Sequence, residues 1–176
     1  CTFSRVMKEK GIEDAIDAVE SVNAHFGRTV YTLDIFGQVD VEYKERFSQL
    51  EKSFPDYISY GGAIEANKSV ETLKSYFALL FPTYYKGEGF AGTLIDAMSA
   101  GVPVIASGWK YNPEFVVPGK TGVIIKDCNV ERLAEELINI AAAPEKWNSM
   151  RLSALKESEK YKPDIAARPL IDRING

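Results

Sequence analysis

Short apolar runs alternate with amphipathic stretches of helical spacing along this 176-residue chain, and this alternation strongly limits the possible folds. The apolar runs cover residues 1–6, 30–36, 57–60, 77–81, 102–107 and 123–125. Between the first two runs, apolar residues recur every three or four positions from Ile12 to Phe26, which predicts a long helix. Strands that alternate with helices form a parallel sheet covered on both faces. The sequence therefore predicts an α/β domain, a Rossmann-like three-layer α/β/α structure with a parallel sheet.

A glycine-rich stretch, residues 86–100, follows the fourth predicted strand and leads into a helix. Its sequence is KGEGFAGTLIDAMSA. A turn of this kind leaves backbone N–H groups unpaired, and the helix dipole adds partial positive charge at the same place. The stretch therefore predicts a phosphate-binding site.

The same stretch contains the dinucleotide fingerprint G-x-G-x-x-G, formed by Gly87, Gly89 and Gly92. Three features argue against a nicotinamide-dependent oxidoreductase domain. Residues 83–86 separate the strand from the first glycine, the charge of Glu88 would repel a pyrophosphate, and the next strand ends without an acidic residue for a ribose. This NAD-binding Rossmann domain stays as the weaker alternative.

Two carboxylates flank the predicted phosphate turn. Asp96 lies eight positions after Glu88, and helical side chains lean towards the helix N-terminus, so Asp96 is expected to point back over the turn. Carboxylates accept hydrogen bonds from paired hydroxyls well. A ligand with a sugar on each side of a diphosphate, as in a sugar nucleotide, fits this arrangement.

The segment EGFAGTLIDAMSAGVPVIAS, residues 88–107, resembles the E-x7-E region of retaining GT-B glycosyltransferases of family 4. The resemblance implies that Glu88 contacts the donor hexose and that Asp96 contacts the ribose. It also implies that the diphosphate binds the backbone amides of Gly89, Phe90, Ala91, Gly92 and Thr93. The family usually has Glu where this chain has Asp96, and a carboxylate one bond shorter reaches ~1.5 Å less far.

Residues 5–11, RVMKEKG, resemble the G-R-x4-K-G segment of the same family, with Ser4 in place of the first glycine. The resemblance implies that Arg5 and Lys10 hold the donor diphosphate. Two cations at a strand end could neutralise it without a metal, because each hydrogen bond to a charged group contributes roughly 1.5–3 kcal/mol. With Glu88, these two residues are the predicted catalytic groups.

The residues after the third predicted strand lie near the nucleobase in this family, which implies base contacts for Gly62, Ala63 and Ile64. Arg5, Gly62 and Glu88 all follow predicted strands. The carboxyl ends of parallel strands meet at one edge of a sheet, where ligands of such folds bind. We therefore expect these residues to share one rim.

The resemblance implies that residues 1–176 form a single C-terminal nucleotide-sugar-binding domain, one half of a GT-B fold. The first residue is Cys rather than Met, so we expect an excised domain. A last helix, about residues 163–174, is then expected to cross towards the absent N-terminal domain. The donor is expected to be a nucleotide-diphospho-sugar such as a UDP- or GDP-sugar, and the acceptor a glycan or lipid bound through the absent half. We expect the isolated chain to be inactive.

The role implied for the whole enzyme is glycan or polysaccharide biosynthesis, and we expect the full-length protein to be peripheral at the membrane. A non-catalytic GT-B-like partner module is the main alternative. No His/Cys/Asp/Glu spacing indicates a metal site, so neither a metal nor another cofactor is expected. The net charge of −4 offers no basic field for nucleic acid, and Cys1 and Cys128 fit a reducing cytoplasm.

Overall fold

Parallel strands form the centre of the structure, a computed structural model that describes residues 1–126 and 128–175. The strands are β1 (Thr2–Phe3), β2 (Leu33–Phe36), β3 (Ile58–Gly62), β4 (Leu79–Phe81), β5 (Val104–Ser107) and β6 (Gly122–Ile125). They pair in two three-stranded groups, β1-β2-β3 and β4-β5-β6. Each group keeps chain order because a helix returns the chain to the start of the next strand.

Hydrogen bonds of Cys1 connect the two groups of strands. Its amino group donates to the carbonyl of Ala78 at 3.0 Å, and its carbonyl accepts from the amide of Leu80 at 2.8 Å. This alternation is the bonding pattern of parallel neighbours, so β1 lies beside β4 and the spatial order is β3-β2-β1-β4-β5-β6. Strand order reverses between β1 and β4, and folds of this kind bind ligands at the carboxyl ends beside that point.

Helices cover both faces of the sheet. They are α1 (Ile12–Phe26), α2 (Lys44–Glu51), α3 (Ser69–Leu73), α4 (Gly92–Ser99), α5 (Asn112–Phe115), α6 (Val130–Ala142), α7 (Pro144–Ser158), α8 (Pro163–Ala166) and α9 (Arg168–Asn175). Helix α1 packs against α6, whereas α4 packs against α3 and α7. None of the helices in the described ranges has the length and hydropathy that a membrane span requires.

Alternate residues of one strand belong to different hydrophobic cores. Leu80 packs in the core that contains Val19 of α1, whereas Leu79 and Phe81 pack in the core that contains Leu94 of α4. Successive side chains of a strand point to opposite faces, so these are the two faces of one sheet. The predicted three-layer α/β/α class is confirmed.

Four predicted strands, those at 1–6, 30–36, 77–81 and 102–107, are shorter in the structure, and the first two lose the most residues. The run 1–6 gives only β1 and a single bridge from Val6 to Val39. The run 30–36 becomes a strand only at Leu33, because the side chain of Asn23 bonds to the backbone of Val30 and Tyr31. A side chain that satisfies these backbone groups takes the place of a strand partner.

The predicted last helix, 163–174, is two helices. Helix α8 ends at Ala166 and α9 begins at Arg168, with Pro169 in its first turn. Proline has no N–H to continue the hydrogen bonding of α8, but it fits the first turn of a new helix. Ala167 separates the two helices, although its own backbone is helical, with a φ of −82° and a ψ of −16°.

Candidate functional site

Three predicted site segments lie at the carboxyl edge of the sheet. Arg5 follows β1, Gly62 ends β3, and Glu88 follows β4. The strands are parallel, so these chain positions share the same edge.

A short and buried ion pair at this edge joins Lys10 and Glu88. Lys10 Nζ lies 2.6 Å from Glu88 Oε2, and the two side chains are only 11% and 8% exposed. The ammonium also lies 5.6 Å from the ring centroid of Phe81 and 5.1 Å from that of Tyr85. A cation between two aromatic rings and a carboxylate is fixed in position.

Gly11 permits this approach. It has a φ of 70°, and a Cβ on it would lie 2.4 Å from the carbonyl oxygen of Pro82. Any other residue would therefore push the turn that carries Lys10 away from the end of β4. The amide of Tyr84 donates to the carbonyl of Glu9 at 2.8 Å and ties the same two segments together.

Arg5 lies on the same side of the molecule as the Glu88 loop. Its guanidinium carbon is 5.4 Å from the ring centroid of Tyr85, so Tyr85 contacts both Arg5 and Lys10. Arg5 Nη1 is 3.4 Å from a carboxylate oxygen of Asp40. Its side chain is 47% exposed, so this ion pair is weak and the guanidinium can turn towards a ligand.

The first turn of α4 has free backbone donors beside Glu88. The helix begins at Gly92 without a side-chain cap. Within the described part of the chain, no acceptor is found for the amides of Gly89, Phe90, Ala91 and Thr93. Unpaired amides and the helix dipole together suit an anion.

Asp96 is held by a residue that the sequence analysis did not include. Its Oδ2 accepts a hydrogen bond from the hydroxyl of Ser69, the first residue of α3, at 2.7 Å. Ser69 is buried at the start of α3, so the Oδ2 atom of Asp96 faces α3. A serine at the start of a helix offers only a capping signal in the sequence, which does not show this contact.

The segment after β3 has one residue on the face of the sheet that α4 covers. Ile64 packs against the core that contains Leu94 of α4. Gly62 has a φ of 76° with open space where a Cβ would be, and Ala63 is exposed.

A further residue, Thr83, contacts Glu88 and was not predicted. Its hydroxyl lies 2.7 Å from Glu88 Oε2, the oxygen that Lys10 also contacts. Thr83 is fully buried. The sequence pattern that could have indicated Thr83 is a hydroxyl residue just after a buried strand, because that position lies at the edge of the sheet where ligands bind.

The described residues contain no group of three His, Cys, Asp or Glu side chains that could hold a metal ion. A cavity of about 690 Å³ lies elsewhere, lined by residues that include Cys1, Asp34 and Tyr76. Leu33 and Ala78, at the amino ends of β2 and β4, also line it, so it opens at the edge opposite the Lys10–Glu88 pair.

Comparison with known proteins gives a consistent result. The family model described as "Glycosyl transferases group 1" matches residues 1–157. A UDP-N-acetylglucosamine–peptide N-acetylglucosaminyltransferase GtfA subunit of Streptococcus gordonii is 32% identical over 125 residues, which is 70% of this chain and 23% of that protein. A GDP-mannose-dependent monoacylated alpha-(1-6)-phosphatidylinositol monomannoside mannosyltransferase of Corynebacterium glutamicum is 28% identical over 146 residues, 80% of this chain and 37% of that protein.

The fold is also found in solved structures. Anabaena Alr3699/HepE, crystallised in complex with UDP-glucose, superposes with a TM-score of 0.82 at 16% identity, covering 99% of this chain and 47% of that one. This likeness shows the fold. The chain spans less than half the length of each of these three proteins.

Proposed function

Because the chain belongs to the Glycosyl transferases group 1 family, we propose that it is the donor-binding domain of a retaining glycosyltransferase. The observation that carries the proposal is the Lys10–Glu88 ion pair of 2.6 Å beside the uncapped start of α4. It brings together a cation, a carboxylate and free amides, the three groups that a sugar joined to a diphosphate requires.

Each group has a proposed role in binding the donor. Lys10, Arg5 and the unpaired amides of the 89–93 segment bind the diphosphate, whereas the amide of Gly92 already donates to the carbonyl of Phe90 at 3.1 Å. Glu88 accepts hydrogen bonds from the sugar hydroxyls, and its Oε1 has no hydrogen bond within the described residues. Asp96 contacts the ribose through the oxygen that Ser69 leaves free, and residues 62–64 lie against the base.

The chemistry follows from the charge of the leaving group. Transfer of the sugar leaves negative charge on the departing nucleoside diphosphate. Two cations and the positive end of α4 stabilise that charge in a site already arranged for it. We propose that these groups suffice without a metal, and that binding of the nucleotide is therefore unchanged by EDTA.

The named relatives support a nucleotide sugar as donor but differ in the base. One is named for a UDP-sugar and one for a GDP-sugar. We propose a UDP- or GDP-sugar for this chain, with an acceptor glycan or lipid bound by an N-terminal domain. The isolated chain is accordingly expected to bind the donor without transferring its sugar.

Isothermal titration calorimetry with UDP, GDP and ADP tests the proposal. The wild-type chain is expected to bind one of them, and Lys10→Met is expected to weaken that binding about tenfold or more, since a charge-assisted hydrogen bond is lost. Lys8→Met is the matched control, because Lys8 is an exposed lysine in the same turn.

Two results would contradict the proposal. Binding of none of the three nucleotides by the folded chain would remove its basis. Nucleotide binding that survives Glu88→Ala and Asp96→Ala with unchanged affinity, for nucleotide and sugar nucleotide alike, would favour a non-catalytic module of this fold.

A further inference from the structure

We infer that Thr83 is the positioning residue that keeps Glu88 in place when the donor diphosphate binds Lys10. The inference rests on the proposed function. It concerns one step of donor binding, in which Lys10 moves from its carboxylate partner to a phosphate.

One oxygen of Glu88 has two hydrogen-bond donors. Oε2 accepts from Lys10 Nζ at 2.6 Å and from the Thr83 hydroxyl at 2.7 Å. A diphosphate at the start of α4 competes with Glu88 for the ammonium of Lys10. When Lys10 turns to the phosphate, the Thr83 hydroxyl is the donor left on Glu88 within the described part of the chain.

The Thr83 hydroxyl is oriented for this purpose. It accepts from the amide of Tyr85 at 3.2 Å, so its single proton is available for donation. The alternative acceptor, the carbonyl of Glu9, lies at 3.3 Å, longer than the 2.7 Å to Glu88. The carboxylate is nearer and charged, and it is therefore the preferred acceptor.

The backbone of Thr83 is fixed from the neighbouring strand. Its carbonyl accepts from the hydroxyl of Ser107, at the end of β5, at 2.5 Å. The side-chain amide of Asn112 donates to the backbone carbonyl of Ser107 at 3.2 Å. Thr83, Ser107 and Asn112 are at most 5% exposed, and such a buried, satisfied network is rigid.

A rigid donor on Oε2 leaves Oε1 facing the ligand with a defined orientation. A site group held in this way contributes more to binding than a mobile one, because less freedom is lost when the sugar hydroxyls arrive. The inference therefore predicts that the Thr83 hydroxyl affects the sugar part of the donor and not the diphosphate part.

The test compares a nucleotide with its sugar nucleotide by calorimetry: UDP with UDP-glucose, or GDP with GDP-mannose, whichever pair the wild-type chain binds. The dissociation constant of the nucleotide divided by that of the sugar nucleotide measures how much the sugar adds to binding. In Thr83→Val, which keeps the shape but removes the hydroxyl, we expect this ratio to fall about fivefold or more, because the sugar nucleotide then binds more weakly while the nucleotide does not. Thr83→Ser retains the hydroxyl and is expected to restore the wild-type ratio.

Thr2→Val is the matched control for this substitution. Thr2 is also buried, and its hydroxyl has no hydrogen-bond partner within the described residues. The same chemical change there is expected to leave the ratio as it is in the wild type. If Thr83→Val does not fold, Thr83→Cys, with a weaker donor of similar size, replaces it.

A double-mutant cycle with Glu88→Ala distinguishes a positioning role from a general one. If Thr83 acts through Glu88, Thr83→Val changes the ratio little in the Glu88→Ala background, where the side chain at residue 88 has no oxygen to accept from the Thr83 hydroxyl. An unchanged ratio in Thr83→Val, or an equal loss of nucleotide and sugar nucleotide, overturns the inference while the proposed function stands. Failure of the wild-type chain to bind any nucleotide overturns the proposed function instead.

Discussion

At the scale of single residues, Lys10 and Glu88 form the most buried of the ion pairs found in the described residues. Both side chains are about nine-tenths buried, at 11% and 8% exposure, so each charge depends on the other for stability. We expect Glu88→Gln to lower the free energy of unfolding of the chain without added ligand by about 3 kcal/mol, because it leaves the charge of Lys10 without a counter-ion. Urea unfolding at neutral pH measures this.

The same variant is expected to bind the free nucleotide more tightly than the wild type, since Glu88 no longer competes for Lys10. Glu65→Gln is the control: Glu65 pairs with Lys68 on the surface, where its side chain is 69% exposed. An exposed pair contributes at most about 1 kcal/mol. Equal effects of the two substitutions on unfolding free energy and on nucleotide affinity would show that the buried Lys10–Glu88 pair contributes no more than an exposed pair.

The sequence predicted contacts with a donor for Lys10 and for Glu88 but not the contact of these two residues with each other. Lys10 and Glu88 are 78 positions apart, and the family motifs describe each residue by its proposed contact with the donor. Their mutual pairing depends on Gly11 and on the end of β4, which no local pattern describes. Thr83 was missed for the same reason, because its importance comes from its neighbours in space.

At the scale of elements, the tight turn at Gly11 packs the start of α1 against Pro82, the residue after β4. Gly11→Ala requires both a left-handed alanine and displacement of Pro82, since the new Cβ would lie 2.4 Å from its carbonyl oxygen. The left-handed conformation alone costs roughly 1–2 kcal/mol. We expect a total loss of about 3 kcal/mol in unfolding free energy, together with weaker nucleotide binding.

Gly27→Ala separates the cost of the left-handed backbone from the cost of displacing Pro82. Gly27, at the end of α1, has a similar φ of 62°, but a Cβ there would meet nothing within 4 Å. This variant is therefore expected to show only the conformational cost, with unchanged nucleotide binding. Similar losses in both variants would mean that contact with Pro82 is not what makes Gly11 necessary.

The first helix was predicted more accurately than the limits of the strands. Apolar residues at helical spacing predicted a helix from Ile12 to Phe26, and α1 has these limits. The start of β2 was placed too early because a side chain of α1, Asn23, bonds to the residues before it. Helical spacing is a local pattern, whereas the limit of a strand depends on partners from elsewhere in the chain.

At the scale of the whole molecule, stability depends on pH through contacts between elements such as that of Glu13 with Arg46. A hydrogen bond from Arg46 of α2 lowers the pKa of the Glu13 carboxyl in α1, and the hydroxyl of Tyr43 donates to the same group at 2.8 Å. A depressed pKa means that the contribution is full above the unfolded pKa of about 4.3 and is lost as the pH falls through the folded value.

We therefore expect Glu13→Gln to be less stable than the wild type at pH 7, with the difference shrinking below about pH 4. Thermal unfolding followed from pH 7 to pH 3 measures this. Glu45→Gln, an exposed glutamate on α2, is the control and is expected to change stability little at any pH. A gap between wild type and Glu13→Gln that stays constant into acid would contradict the interpretation.

The class of fold followed from the sequence, but the order of the strands did not. Alternation of strands and helices implies a parallel sheet without stating which strands are neighbours. The contact of β1 with β4 rests on backbone bonds of Cys1 with Ala78 and Leu80, which carry no signal in side-chain pattern. The order of the sheet therefore had to come from the structure.

The reversal of strand order between β1 and β4 separates two tasks along the chain. The segments before β4 contain Lys10 and the loop at residues 62–64, and the segments after it contain Glu88 and α4. Under the proposed function, one half of the domain then determines which base is preferred, and the other half makes most of the contacts with the sugar. Exchange of the loop at residues 62–64 between relatives would alter the choice of nucleotide while the sugar-holding half stays intact, which gives evolution a simple route to new donors.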